Sequence, residues 1–133
     1  MSMSPGSGGM ESNGEEPIMQ YLLTVLSDEQ QWASMADADQ KQNISDNGKF
    51  AKSLVEAGVL VHGAGLGPSS TVTTVRKQDE QVLVTDGTYT ETTEWLGGFY
   101  LLECPDLDAA LAWARKAPLL SFEAIQVHPV ADH

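Results

Sequence analysis

The stretch Val82–Tyr100 limits the folds open to this chain more than any other. An apolar run, Val82-Leu83-Val84, leads into Asp86-Gly87, and both residues of that pair tolerate positive φ, so a strand ends there in a turn. A polar loop follows, carrying Tyr89, Glu91 and Glu94. Gly97-Gly98 then opens a second apolar strand, and paired glycines at such a point predict a bulge or a close backbone approach. Carboxylates and an aromatic ring on a loop anchored between two strands suit the wall of a pocket.

The remaining elements arrange themselves around this pair of strands. Residues 1–18 are rich in Gly, Ser, Glu and Pro, and such a segment buries too little apolar surface to offset its ordering entropy, so a disordered tail is expected. The folded domain is expected over 19–130, with 131–133 fraying. Met19–Leu26 reads as a strand, followed by a short helix capped by Ser27 or Asp28. A longer helix is expected from about Ala38 to Ala57, with Ile44, Asn47, Gly48, Ala51, Leu54 and Val55 as its inward stripe, and Gly58 as its stop. Val59–Gly63 is the next strand, and 70–77 with 81–85 forms a hairpin around Gln78-Asp79-Glu80. Gly98–Cys104 is a strand. Pro105-Asp106 then starts a helix whose stripe is Leu107, Ala110, Leu111 and Ala114, and Phe122–Val130 closes the fold as a strand.

This order is strand–helix–strand, an inserted hairpin, and strand–helix–strand again. It predicts an α+β, ferredoxin-like antiparallel sheet with two helices on one face. The other sheet face needs a cover, and a second copy of the chain is the simplest one, so a homodimer is expected.

Composition narrows the partners. Of 133 residues, 19 are Asp or Glu and 7 are Lys or Arg, a net charge of −12. Such a surface repels phosphate backbones and anionic lipids, which argues against nucleic acid and membrane as partners. No apolar run reaches the length of a membrane span, and the N-terminal residues lack the basic and apolar regions of a secretory signal. Cys104 is the single cysteine, which precludes an intramolecular disulfide and fits a cytoplasmic setting; beside Pro105 at the end of an apolar strand it reads as a buried, inert thiol.

The residues from Val82 to Tyr100 resemble the signature of the DGPF-domain proteins of the YCII-related family: a strand ending in Asp-Gly, an acidic, Thr-rich loop, and a Gly-Gly-aromatic strand. The resemblance extends over about 19–130. It takes in the Tyr21-Leu22-Leu23 strand, the Ala57-Gly58-Val59-Leu60 helix exit, Gly65-Leu66 with Pro68, the Thr73-Thr74-Val75-Arg76 strand, Pro105-Asp-Leu-Asp and Ala112-Trp113-Ala114. It implies a dimeric α+β barrel. Association of some DGPF domains with sigma factors of the extracytoplasmic-function type implies a link to transcription for a regulatory reading. The chain departs from the pattern at Thr88-Tyr89, in place of Pro-Phe, and at Gln126-Val127-His128-Pro129, in place of Glu-Val-Arg-Pro. Some relatives carry a helix histidine that pairs with an Asp, and the matching position here is Asn47, which cannot act as a general base.

The chemistry-bearing residues sort into two groups. His62 lies beside a Gly-rich segment, and with Asp86 or Glu91 as an orienting carboxylate it has the makings of an acid/base pair for cofactor-free proton-transfer or lyase-type chemistry. Tyr89, Arg76, Trp95 and His128 are the expected ligand-binding residues, for a small molecule that the sequence leaves unspecified. Against each stands a plainer role: a strand histidine, a turn aspartate, solvated loop acids, an aromatic cover over the sheet. No metal site is expected, because the histidines and Cys104 show no ligand spacing. Gly63-Ala64-Gly65-Leu66-Gly67 does not lead into a helix N-terminus and so lacks the geometry of a phosphate cradle. The alternative to an enzyme is a non-catalytic ligand-binding or regulatory domain.

Overall fold

Strand β1, Met19–Ser27, alternates between half-buried and buried residues from Gln20 to Thr24, as a strand with one face on a core must. The computed structural model describes residues 18–88 and 94–131. Beyond β1 its elements are α1 (Glu29–Ala33), α2 (Asp37–Glu56), β2 (Leu60–Gly65), β3 (Thr73–Gln78), β4 (Gln81–Asp86), β5 (Trp95–Cys104), α3 (Leu107–Ala114) and β6 (Ala124–Pro129). Four strands form one sheet in the order β2-β5-β1-β6, with every neighbouring pair antiparallel, while β3 and β4 form a separate two-stranded ribbon. This is the ferredoxin-like order with the hairpin inserted between β2 and β5.

Local chemistry sets the element ends. Asp28 caps α1, its carboxylate accepting from the Gln30 and Gln31 amides. Asp106 does the same for α3 through the Ala109 amide. Asp37 does not cap α2: it is the first helical residue, and Ala36 at the cap position offers no side-chain bond. Gly58 leaves α2 at φ 74°, the left-handed conformation that suits glycine.

The core lies on the helix side of the sheet. Leu23, Leu54 and Leu102 are fully buried, joined by Tyr21, Phe50, Cys104 and Ala110. The Phe50 ring meets Tyr100 edge-on, with centroids 5.4 Å apart. The inward stripe of α2 differs from the one its apolar residues suggest. Asn43, Phe50 and Leu54 are the buried residues, whereas Ile44 and Val55 are each 61% exposed. Two asparagines explain the rotation. Asn43 Nδ2 donates to the Pro118 carbonyl at 3.1 Å, and Asn47 Nδ2 donates to Asn43 Oδ1 and O at 3.0 and 2.9 Å, so buried polar groups on this face are satisfied and tie α2 to the segment after α3.

Both expectations for Gly97-Gly98 are met. The β1–β5 register shifts between Val25 and Leu26, opposite these glycines. A Cβ at Gly98 would sit 2.9 Å from the Ala64 carbonyl oxygen, so β2 reaches its place beside β5 only because residue 98 has no side chain. Strand β5 also begins earlier than expected, at Trp95, whose ring lies across Gly97. Gly98→Ala is therefore expected to lower unfolding stability by about 1–3 kcal/mol, the range for overpacking a tight site. Urea denaturation checks this, with Gly48→Ala as control, since open space surrounds that helical position.

Candidate functional site

The pairing registers define the face of the sheet that the helices leave open. Leu22 lies opposite both Leu101 and His128, and Leu101 lies opposite His62, so these four form one row across the sheet. The next row is Ala64, Phe99, Thr24 and Gln126. Leu22, Thr24, Phe99 and Leu101 are half-buried, whereas His62 and His128 are exposed on the two edge strands. At about 4.8 Å per strand, roughly 14 Å separates the two histidine backbones. The face thus has an apolar floor with an imidazole at either side.

Each histidine is positioned by a neighbour. The His62 ring lies against Phe99, with centroids 6.0 Å apart and planes tilted by 40°. Among the described residues His62 makes no hydrogen bond or ion pair. His128 Nε2 is 3.3 Å from Thr24 Oγ1, in a contact whose donor depends on the imidazole tautomer. Gln20 Nε2 donates to Glu103 Oε2 at 3.3 Å on the same face.

The other expected site residues are dispersed. Asp86 ends β4 opposite Thr73, exposed, on the ribbon rather than on the sheet that holds His62. Arg76 is exposed on β3 opposite Leu83. Tyr89 and Glu91 lie outside the described residues. Trp95 is half-buried, and its indole Nε1 donates to the Gly67 carbonyl at 3.2 Å. Its polar atom is thereby engaged in holding the 66–68 loop, which is also tied by Leu66 N to Gly97 O at 2.9 Å.

A concave region away from that face escaped the sequence reading. A shallow depression of about 240 Å³ lies where β1 meets α1, bordered by Ser27, Asp28, Gln31, Glu94 and Phe122. The side chains of Ser27, Asp28 and Gln31 are all engaged, the last two with each other. Buried Ser27 donates from Oγ to Glu123 Oε2 at 2.8 Å, and Glu123 Oε1 accepts the Leu120 amide at 3.0 Å. The Asp28 carboxyl is held below its ordinary range by the Gln31 amide, then by the Gln31 side chain and the Gln30 amide. Alongside it, Glu29 takes the Ser69 amide at 2.8 Å and the Ser69 hydroxyl, clamping the loop before β3 onto α1. No signal short of the tertiary contacts links Glu123 to Ser27, because 96 residues separate them.

Cys104 is a buried, free thiol, and burial, with Asp106 nearby, pushes its pKa up. That is the opposite of what a nucleophilic cysteine needs. No group of His, Cys, Asp or Glu among the described residues could hold a metal ion. No helix among them is long and apolar enough to cross a membrane.

The sheet order and the inserted hairpin define a ferredoxin-like α+β domain. The chain belongs to the YCII-related domain family, whose model matches residues 19–132. It is similar to an uncharacterised protein of Rhizobium meliloti strain 1021, with 34% identity over 97 residues, covering 73% of this chain and 78% of that one.

Two measurements bear on the polar groups. The Asp28 carboxyl is expected to titrate below the ordinary aspartate range by NMR. With its folded pKa depressed, its contribution to stability is present above the unfolded pKa and is lost as pH falls through the folded one. An Asp28→Asn variant should therefore show a weaker loss of stability on acidification than the native chain. Alkylation of Cys104 by iodoacetamide at neutral pH should proceed only as fast as the chain unfolds.

Proposed function

We propose that this domain is a homodimeric, cofactor-free binding module for a small organic molecule, which lies on the open sheet face. The observation that carries the reading is the half-buried apolar floor of Leu22, Phe99 and Leu101, flanked by the imidazoles of His62 and His128. Apolar floor with a few polar groups at its margin is the usual composition of a ligand site. A second copy laid over this face would enclose the ligand and exclude water. The hydrophobic term favours such a closure, since every apolar area removed from water contributes about 25 cal/mol per Å².

Binding is preferred over catalysis because of what surrounds the candidate base. A general base must stand within hydrogen-bond reach of the group it serves, and an orienting carboxylate makes it effective. His62 meets an aromatic ring instead, and Asn47, the counterpart of the relatives' helix histidine, spends its amide on Asn43. The acid/base reading, with His62 served by Asp86 or by Glu91, is the alternative. It requires the ribbon or the following loop to bring a carboxylate to the imidazole.

Sedimentation and fluorescence test the proposal together. The native chain should sediment as a dimer at micromolar concentration, and Leu101→Glu should convert it to a monomer with an unchanged circular-dichroism spectrum. Anilinonaphthalene sulfonate, an aromatic anion, should bind the dimer and lose affinity in the His62→Ala and His128→Ala variants. A native monomer, or dye binding indifferent to both histidines, would defeat the proposal.

A further inference from the structure

Among the described residues, the β3–β4 ribbon shares no strand pairing with the four-stranded sheet. A two-stranded ribbon standing alone is marginally stable in water. Its cross-strand pairs alternate between two faces. Thr74/Thr85, Arg76/Leu83 and Gln78/Gln81 occupy one of them. Thr74 and Leu83 are half-buried there, and Thr74 Oγ1 donates to the Gly87 carbonyl at 2.6 Å, so that face is the more covered of the two. The other face carries Thr73/Asp86, Val75/Val84 and Lys77/Val82. Its three valines, Val75, Val82 and Val84, are 64, 59 and 63% exposed.

We propose that this valine face docks on the same face of a second copy of the chain, about a two-fold axis passing beside the Val75/Val84 pair. The charges on the face favour that occupant and that orientation. Asp86 stands at the base of the ribbon and Lys77 at its tip, with Val75/Val84 midway between them. Four residues of strand, about 13 Å, separate the two ends. A two-fold axis across the strands lays the tip of one ribbon over the base of the other. Each Lys77 then stands beside Asp86 of the partner subunit, and the valines meet in the middle. An axis along the strands would set lysine against lysine and aspartate against aspartate, and like charges in register oppose it. The same residues on both copies form a self-complementary patch, as an isologous contact requires. Two attractive pairs at its ends act against the general repulsion between chains of net charge −12, to which Asp79 and Glu80 in the turn next to Lys77 contribute.

The contact is small beside the roughly 800 Å² per partner of a stable interface. It is therefore a weak, concentration-dependent association, separate from closure of the open sheet face. If both form, dimers associate further through their two ribbons, into a closed tetramer where the two axes cross at right angles and into an open chain otherwise.

Sedimentation equilibrium from micromolar to millimolar concentration, on the full chain, tests this. Lys77→Glu and Asp86→Lys should each weaken the association about five- to thirty-fold, because two-fold symmetry counts each altered pair twice. The double variant Lys77→Glu/Asp86→Lys should restore it, and added salt should weaken the native contact. Circular dichroism on each variant verifies folding. Running the series in a Leu101→Glu background separates the two contacts, since a failed sheet-face dimer leaves ribbon pairing measurable. Equal behaviour of the single and double variants would overturn the proposal. So would the absence of association in that background, or association that appears only when residues 1–17 are removed, which would assign the face to those residues.

Discussion

The approach of β2 to β5 at Gly98 is the constraint on which the rest of the architecture depends. The carbonyl of Ala64 occupies the space where a side chain at residue 98 would begin. Without that contact β2 has no seat on the sheet, because its hydrogen-bonded neighbour is β5 alone. Three features follow from β2. Its N-terminal end receives the chain from α2 and closes the helix layer over Leu54 and Leu102. Its open side presents His62 to the row of Leu101 and Leu22. Its C-terminal end launches the segment that carries the ribbon, held by Glu29 at Ser69 and by Trp95 at Gly67. A glycine at one strand position thus determines where a candidate ligand residue and an entire inserted element lie.

The sheet divides the molecule into a face occupied by structure and a face available for function. On the helix side, Tyr21, Leu23, Leu102 and Cys104 are buried against Phe50, Leu54 and Ala110. The polar residues among them are bonded: Asn43 to Pro118, Ser27 to Glu123. Groups satisfied in this way gain nothing from a ligand, and disturbing them leaves buried polar atoms unpaired at a cost of about 1–3 kcal/mol each. The open side has the reverse character. Its apolar residues are only partly covered and its two histidines stand at the margins, so contact with a second surface would remove apolar area from water there without breaking a core.

The fold was legible in the sequence because strand and helix patterns there coincide with tertiary roles. The alternation of β6 puts Ile125 and Val127 inward and His128 outward, as its period of two demands. The Asp86-Gly87 turn is realised with Gly87 at φ 99°, its amide donating to the Val72 carbonyl at 2.6 Å. Where the reading of α2 missed, the cause was chemical. Asn43 counts as polar in any hydrophobic pattern, yet it is buried because Pro118 supplies an acceptor from 75 residues away. Ile44, scored as core, faces outward as a consequence. The candidate site was legible only in part for the same reason. His62 and His128 are visible as strand histidines, but their alignment in one row depends on the registers of three strand pairs, which no local pattern encodes.

Asp86 illustrates how placement changes the meaning of a residue. Read along the chain, it follows an apolar strand and precedes an acidic loop, a natural setting for a carboxylate that orients a base. In the fold it ends a ribbon that shares no strand pairing with the sheet of His62 and stands at the opposite end of that ribbon's exposed face from Lys77. A carboxylate at such a point influences what approaches the ribbon, and its charge is most effective against a cation brought up by another surface. The valines between Asp86 and Lys77 supply the apolar area, and the charges supply direction. Apolar area alone would leave two such faces free to meet in either sense; a lysine and an aspartate at opposite ends make one of those senses repulsive. Specificity between like surfaces arises from that repulsive alternative as much as from the attractive one.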